Sequence, residues 1–193
     1  NESTWIAQRN GRTKDGDDKT QVAVLKMLAM SSSRPFADNL AEMNIAPIAV
    51  SYEYEPCDAL KTQEVYLLRK NGTYTKTANE DLNSIVTGIR QFKGRISYTF
   101  CPPITETELT SCQEAPHKER FRLLAEIIDR RIYSGYRLFK TNYMAYDLLE
   151  GTHRFAQQYS DEDLKEFVEY VEERTSSLEG DRGELRNIFL GIY

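Results

Sequence analysis

Apolar residues recur every three or four positions along most of this chain, with short continuous runs between the periodic stretches. From Thr20 to Met30 the positions Val24, Leu25, Met27 and Leu28 mark one side of a helix, and Ser31-Ser32-Ser33-Arg34-Pro35 ends it. A shorter helix is predicted over Phe36 to Met43. Asp58 to Lys70 reads as a third, closed by Asn71-Gly72, and a fourth carries Leu82, Ile85, Val86 and Ile89 at i, i+3, i+4 and i+7. Phe121, Leu124, Ile128 and Ile132 place another from about His117 to Tyr133. Three segments read as strands instead: Ser3 to Arg9, Ile45 to Tyr52 and Arg95 to Phe100, the last stopped by Pro102-Pro103. The middle run is apolar at its start, as in a strand buried on both faces, with Pro47 near its beginning because proline cannot donate to a ladder.

The last third of the chain changes character. Ser160 is placed to cap a helix with the stripe Leu164, Phe167, Val168 and Val171. After Gly180-Asp181-Arg182-Gly183 a second stripe runs Leu185, Ile188, Phe189, Ile192, so the tail is a helical hairpin. Tyr133, Tyr136, Phe139, Tyr143 and Tyr146, with Arg137 and Lys140, read as a packed connecting segment rather than a base-stacking surface. Strands alternating with helices predict an α/β fold, a layered sheet with flanking helices over residues 1–135, and a helical C-terminal extension over residues 136–193. Asn1 stands where an initiator Met would, almost against the first strand-like run, so the domain is expected to be truncated at its N-terminus.

Composition narrows the classes of function. The 193 residues suffice for one substantial core or two small ones, and 40% hydrophobic with 28% charged residues excludes a disordered chain. A net charge of −5 leaves no general basic surface, which sets nucleic acid aside as a partner. Cys57, Cys101 and Cys112 have neither metal-ligand spacing nor the even count of a disulfide framework, which points to a reducing, cytoplasmic compartment. The sequons Asn1-Glu2-Ser3 and Asn71-Gly72-Thr73 matter only in a secreted protein. No apolar run reaches membrane-spanning length, so any membrane contact is expected to be peripheral.

The segment after the first strand-like run concentrates the chemistry. Arg9, Arg12, Lys14 and Lys19 surround Gly11 and Gly16 ahead of a helix, a setting in which backbone amides and guanidinium forks receive anions. A solvated loop with mixed charges is the plain alternative. The spacing is not that of a P-loop. Asp15, Asp17 and Asp18 lack the closing glutamate of a calcium loop and have Lys14 and Lys19 beside them, so no metal site is expected. Cys101 has no neighbouring histidine to activate it and reads as a structural thiol.

The run Arg9-Asn10-Gly11-Arg12-Thr13-Lys14-Asp15-Gly16 resembles the Glu-Gly-Gly-Arg-Ser-Arg-Thr-Gly block of glycerol-3-phosphate acyltransferases, and Ile45-Ala46-Pro47-Ile48-Ala49-Val50-Ser51-Tyr52-Glu53 resembles the apolar strand block that follows it there. Order and separation agree, and the likeness spans roughly Trp5 to Glu55. It implies acyl transfer from an acyl-CoA or acyl-carrier-protein thioester to a phosphate-bearing glycerol acceptor, as in glycerolipid and phospholipid synthesis, with no bound cofactor. Arg12 would hold the substrate phosphate, Lys14 would assist, Gly11 and Gly16 would shape the loop, and Thr13 completes the substrate-binding set. Any membrane contact would be made through the missing N-terminal part. The family's opening glutamate is Arg9 here.

That family also uses a His-x-x-x-x-Asp motif upstream of the phosphate block. This chain has two histidines, and the residues five beyond His117 and His153 are Arg122 and Gln158. Neither repeats the carboxylate-oriented base, so no catalytic residue is assigned and the chain alone is expected to be inactive. Two rivals stand beside this reading: a non-catalytic interaction module acting through the hairpin Ser160 to Tyr193, and a degenerate acyltransferase that binds phosphorylated ligands without turnover.

Overall fold

A computed structural model of the chain describes residues 2–9, 11, 13–14 and 17–193. Its elements among the described residues are α1 (Val22–Ala29), α2 (Phe36–Glu42), β1 (Ile48–Tyr52), α3 (Asp58–Asn71), α4 (Glu80–Arg90), β2 (Ile96–Phe100), α5 (Glu106–Glu114), α6 (Arg120–Gly135), α7 (Lys140–Glu150), α8 (Asp161–Ser176) and α9 (Arg182–Leu190). A short 3-10 turn, Ala156–Gln158, precedes α8. The described residues are thus mixed but mostly helical, with 55% of them in helices and one small antiparallel sheet of β1 and β2 among them.

The expected layered sheet is not seen among these residues. The run Ser3 to Arg9 forms no strand: Trp5 and Ile6 are exposed, and the Gln8 carbonyl accepts from Gln21 N at 2.9 Å in a loop contact. Two adjacent apolar residues in a polar stretch cannot bury one face of a strand, and without that burial the backbone ladder has no support. The other two strands do form. β1 starts directly after Pro47, whose carbonyl accepts from Cys101 N at 2.9 Å, and Glu53 N donates to Arg95 O at 2.9 Å beyond the other end.

Two compact units divide the chain. One holds 17–50 and 97–137 together with the described residues up to Thr13, and contains α1, α2, α5 and α6. Its core is built from Leu25, Leu40, Leu109, Leu124, Ile128 and Ile132. The stripe on α6 therefore faces inward as its period requires. Helix α5 was not expected from its apolar content, yet it carries a start signal: Thr105 accepts from Glu108 N while Glu108 Oε2 accepts from Thr105 N at 2.8 Å, a reciprocal capping box.

The other unit holds Lys14, 51–96 and 138–193, so the C-terminal helices share a unit with α3 and α4 instead of standing apart as an extension from residue 136. The hairpin of α8 and α9 forms as its two stripes predict; Ser160 accepts from Asp163 N and begins α8. Phe167, Val171, Phe189 and Leu190 are buried with Met144 and Ala145 of α7, and Leu185 and Ile188 bury against Tyr66 of α3. The aromatic stretch taken as a connector contains α7, whose buried Thr141, Met144 and Ala145 lie on one side. Gly180 sits at φ +147°, and a Cβ there would drive into the Tyr66 ring. This turn brings Asp181 N to donate to Tyr66 Oη at 3.0 Å.

Candidate functional site

Of the five residues assigned to phosphate binding, Arg12 and Gly16 lie outside the described residues. Gly11 has φ +76° with open space where a side chain would begin, a left-handed conformation suited to glycine. Thr13 is buried. Lys14 forms an ion pair and hydrogen bond with Glu64 of α3. Nearby cations are similarly engaged: Arg9 lies 4.0 Å from Asp18, and Lys19 lies 2.8 Å from Asp17. The Lys19 and Tyr133 hydrogen bonds hold the Asp17 carboxyl below its usual range. The described cations of the loop are therefore each set beside a carboxylate, Glu64 of α3 or the loop's own Asp17 and Asp18.

The catalytic side is equally plain. His117 and His153 are both exposed. Cys57, Cys101 and Cys112 are buried free thiols, and Cys101 Sγ donates to Arg131 O at 3.3 Å, as a structural thiol does. Burial pushes the Cys112 thiol up, away from the reactive thiolate. Among the described residues no group of three His, Cys, Asp or Glu side chains converges as metal ligands would. No described helix is long and apolar enough to cross a membrane.

Two shallow clefts bear on ligand binding. One, beside α7, is lined by Asp147, Thr152, His153 and Tyr159. Asp147 already accepts from Thr152 Oγ1 and Tyr159 Oη, both at 2.7 Å, and from Phe155 N at 2.8 Å. These bonds outweigh burial and hold its carboxyl down, so it fastens the loop 151–159. The other cleft is walled by Asp38, Glu42 and Glu106, which repel a phosphate.

A buried carboxylate, Asp58 at the start of α3, joins three elements of its unit. It is 0% exposed, accepts from Arg174 Nε at 2.9 Å and Nη2 at 2.5 Å, and accepts from Tyr170 Oη at 2.5 Å and Tyr193 Oη at 3.0 Å. Burial pushes both tyrosines up, reinforced by the charge of Asp58. Every bond here is turned inward to protein groups, so the cluster ties α3, α8 and the C-terminus together.

The most unusual surface is α4. Its buried side is small and polar: Ser84 is 6% exposed, its carbonyl accepts from Cys57 Sγ at 3.5 Å, and a Cβ on Gly88 would lie 3.7 Å from that same sulfur. The periodic apolar stripe points to solvent instead, with Leu82 at 58%, Ile85 at 59% and Ile89 at 73% exposure. Val86 and Phe92 are exposed as well, although the Phe92 ring also meets Tyr54 at 5.5 Å between centroids. The helix is well finished at both ends. Thr77 N donates to Glu80 Oε2 at 3.0 Å, and Lys93 Nζ donates to Ile89 O at 3.1 Å and Gln91 O at 2.9 Å. Lys76 Nζ pairs with Asp81 at 2.5 Å.

Periodicity marked this stripe without revealing its outward direction. The available signal was the opposite side, where Ser84 and Gly88 at i, i+4 allow a close approach to Cys57. Compared with family models, curated proteins and solved structures, the chain matches none.

Proposed function

We propose that this chain is a protein-interaction module whose contact surface is the outward face of α4. The observation that carries the reading is the inverted burial of that helix, which hides Ser84 and Gly88 and presents Leu82, Ile85, Val86 and Ile89. Five large apolar side chains exposed together amount to about 500 Å², the upper range of the largest patch on an ordinary monomer, and such patches mark binding surfaces. A hydrophobic contact of this kind needs no catalytic residue. The surface lies on α4 rather than on the C-terminal hairpin, whose stripes are used in the unit's own core.

A photo-crosslinking residue at Ile89 tests it, with one at the exposed Lys70 near the end of α3 as the control. Protein adducts from position 89 and none from position 70 are expected; adducts from neither position overturn the reading.

Acyl transfer to a phosphate-bearing glycerol is a second reading. It is supported by the resemblance of residues 9–16 and 45–53 and by Gly11, whose left-handed backbone and open surroundings leave a loop amide approachable. On this reading Arg12 is the phosphate anchor and Lys14 must exchange Glu64 for the substrate. Calorimetry with glycerol 3-phosphate decides it. A specific anchor loses about tenfold or more in affinity on Arg12→Ala, as one charge-assisted contact implies. Equal losses for Arg12→Ala, Lys14→Ala and Lys19→Ala, erased by moderate salt, overturn it.

A further inference from the structure

We infer that the free edge of β2 pairs with β2 of a second copy of this chain, antiparallel about a two-fold axis through Tyr98. This surface is separate from the face of α4 and is defined by main-chain geometry. Two bonds bracket the sheet, Cys101 N to Pro47 O and Glu53 N to Arg95 O, both at 2.9 Å, and both belong to one antiparallel register. In that register the odd-numbered residues of β2 turn their N–H and C=O groups toward β1, so those of Ile96, Tyr98 and Phe100 turn the other way. Among the described residues none of these groups meets a hydrogen-bond partner on that side. The side chains of the same three residues are exposed, at 44%, 61% and 77%.

Edge strands are ordinarily guarded by a lysine, a proline or a bulge, and Ile96–Phe100 contains none of these. Arg95, the charge just before it, is held by Glu53. Pro102, which cannot donate, ends the row beyond Phe100. An unguarded row of main-chain donors and acceptors takes an extended strand; a helix or a lipid surface offers no matching row. β2 is such a strand and complements itself. About an axis through Tyr98, that residue exchanges main-chain bonds with its own copy, and Ile96 exchanges them with Phe100 of the other chain at both ends. Side chains then meet in kind. Ile96 faces Phe100 and Tyr98 faces Tyr98 on one side of the sheet, while Ser97 faces Thr99 on the other, all pairs that stabilise strand contacts. No charged residue within the strand opposes the pairing. The contact is smaller than a standard interface, so the association is weak and concentration-dependent.

Sedimentation equilibrium of the full chain from about 5 to 500 µM tests this, the range in which a small interface populates both states. The weight-average mass is expected to climb toward twice that of one chain and no further. Amide hydrogen exchange read by NMR should slow at Ile96, Tyr98 and Phe100 as concentration rises. Tyr98→Lys, which sets two like charges together at the axis, should weaken association by about tenfold or more with an unchanged circular dichroism spectrum, since Tyr98 is largely exposed. Ile96→Lys and Phe100→Glu should each weaken association, and the two together should restore it to within a few-fold, because each introduced cation then faces an introduced acid across the axis. The same two positions lie about 13 Å apart along one strand, too far to pair within a chain.

A monomer throughout the range, a mass that grows past two chains, or association indifferent to Tyr98→Lys each overturns the pairing. So does a dimer whose Ile96, Tyr98 and Phe100 amides exchange as fast as in the monomer, or a double variant no better than its singles. Self-association that survives Tyr98→Lys but is lost on Ile89→Gln refutes pairing through β2 and leaves the α4 reading standing.

Discussion

Replacing Arg174 by Met leaves Asp58 as a buried carboxylate without its ion partner, and the structure sets the size of the penalty. Asp58 is 0% exposed, whereas the Arg174 side chain retains 24% exposure, so water can reach part of the space that the guanidinium vacates. Breaking a buried pair by removing one partner costs about 3–5 kcal/mol, and the partial exposure of Arg174 argues for about 3. Tyr170 and Tyr193 still donate to Asp58 Oδ2, which further limits the loss. In a chain of this size about 3 kcal/mol lowers the unfolding midpoint by roughly 6–12 °C. Urea denaturation followed by far-ultraviolet circular dichroism, with tryptophan fluorescence excluded because Trp5 lies in the other unit, reads the effect. The double variant Asp58→Asn with Arg174→Met removes both charges and should recover more than half of the loss. A cost below about 1 kcal/mol for Arg174→Met, or a double variant as unstable as the sum of the singles, refutes the buried-pair account.

Gly180→Ala forces a Cβ into the Tyr66 ring at φ +147° and should destabilise by at least 1–3 kcal/mol by thermal melting. Thr105→Ala breaks the capping box of α5 and should cost about 1 kcal/mol, with Thr105→Ser recovering most of it. Tyr159, pushed up to about 12 by burial and by its bond to Asp147, stabilises the fold fully below the ordinary tyrosine value near 10 and loses that contribution as pH rises through about 12. An alkaline unfolding titration should show this as a shallower slope above pH 10 in Tyr159→Phe; identical slopes refute it. Ile89→Gln, on the exposed face of α4, should leave stability within about 0.5 kcal/mol and reduce binding of a hydrophobic dye.

Helix positions were largely legible from the chain itself, because a 3.6-residue period and local end signals are properties of neighbouring residues. Leu124, Ile128 and Ile132 of the α6 stripe and Phe167 and Val171 of the α8 stripe bury as written, with Phe121 partly buried beside them, Gly72 closes α3 in a left-handed conformation, and Ser160 caps α8. The segment 133–146 hid α7, since aromatic and polar residues masked its small buried face, and α5 showed itself only through Thr105 and Glu108.

What the tertiary structure decided was which faces find partners. The chain wrote the same kind of stripe on α4 and on α8, yet only one is covered, because the contact of Ser84 and Gly88 with Cys57 turns α4 outward. Burial of a face depends on residues distant in sequence, and no local period contains them. The same holds for charge. Lys14 read as a free cation for an anionic ligand until folding set it against Glu64, and Asp58 was an ordinary helix-start acid until Arg174, Tyr170 and Tyr193 closed around it from more than 100 positions away.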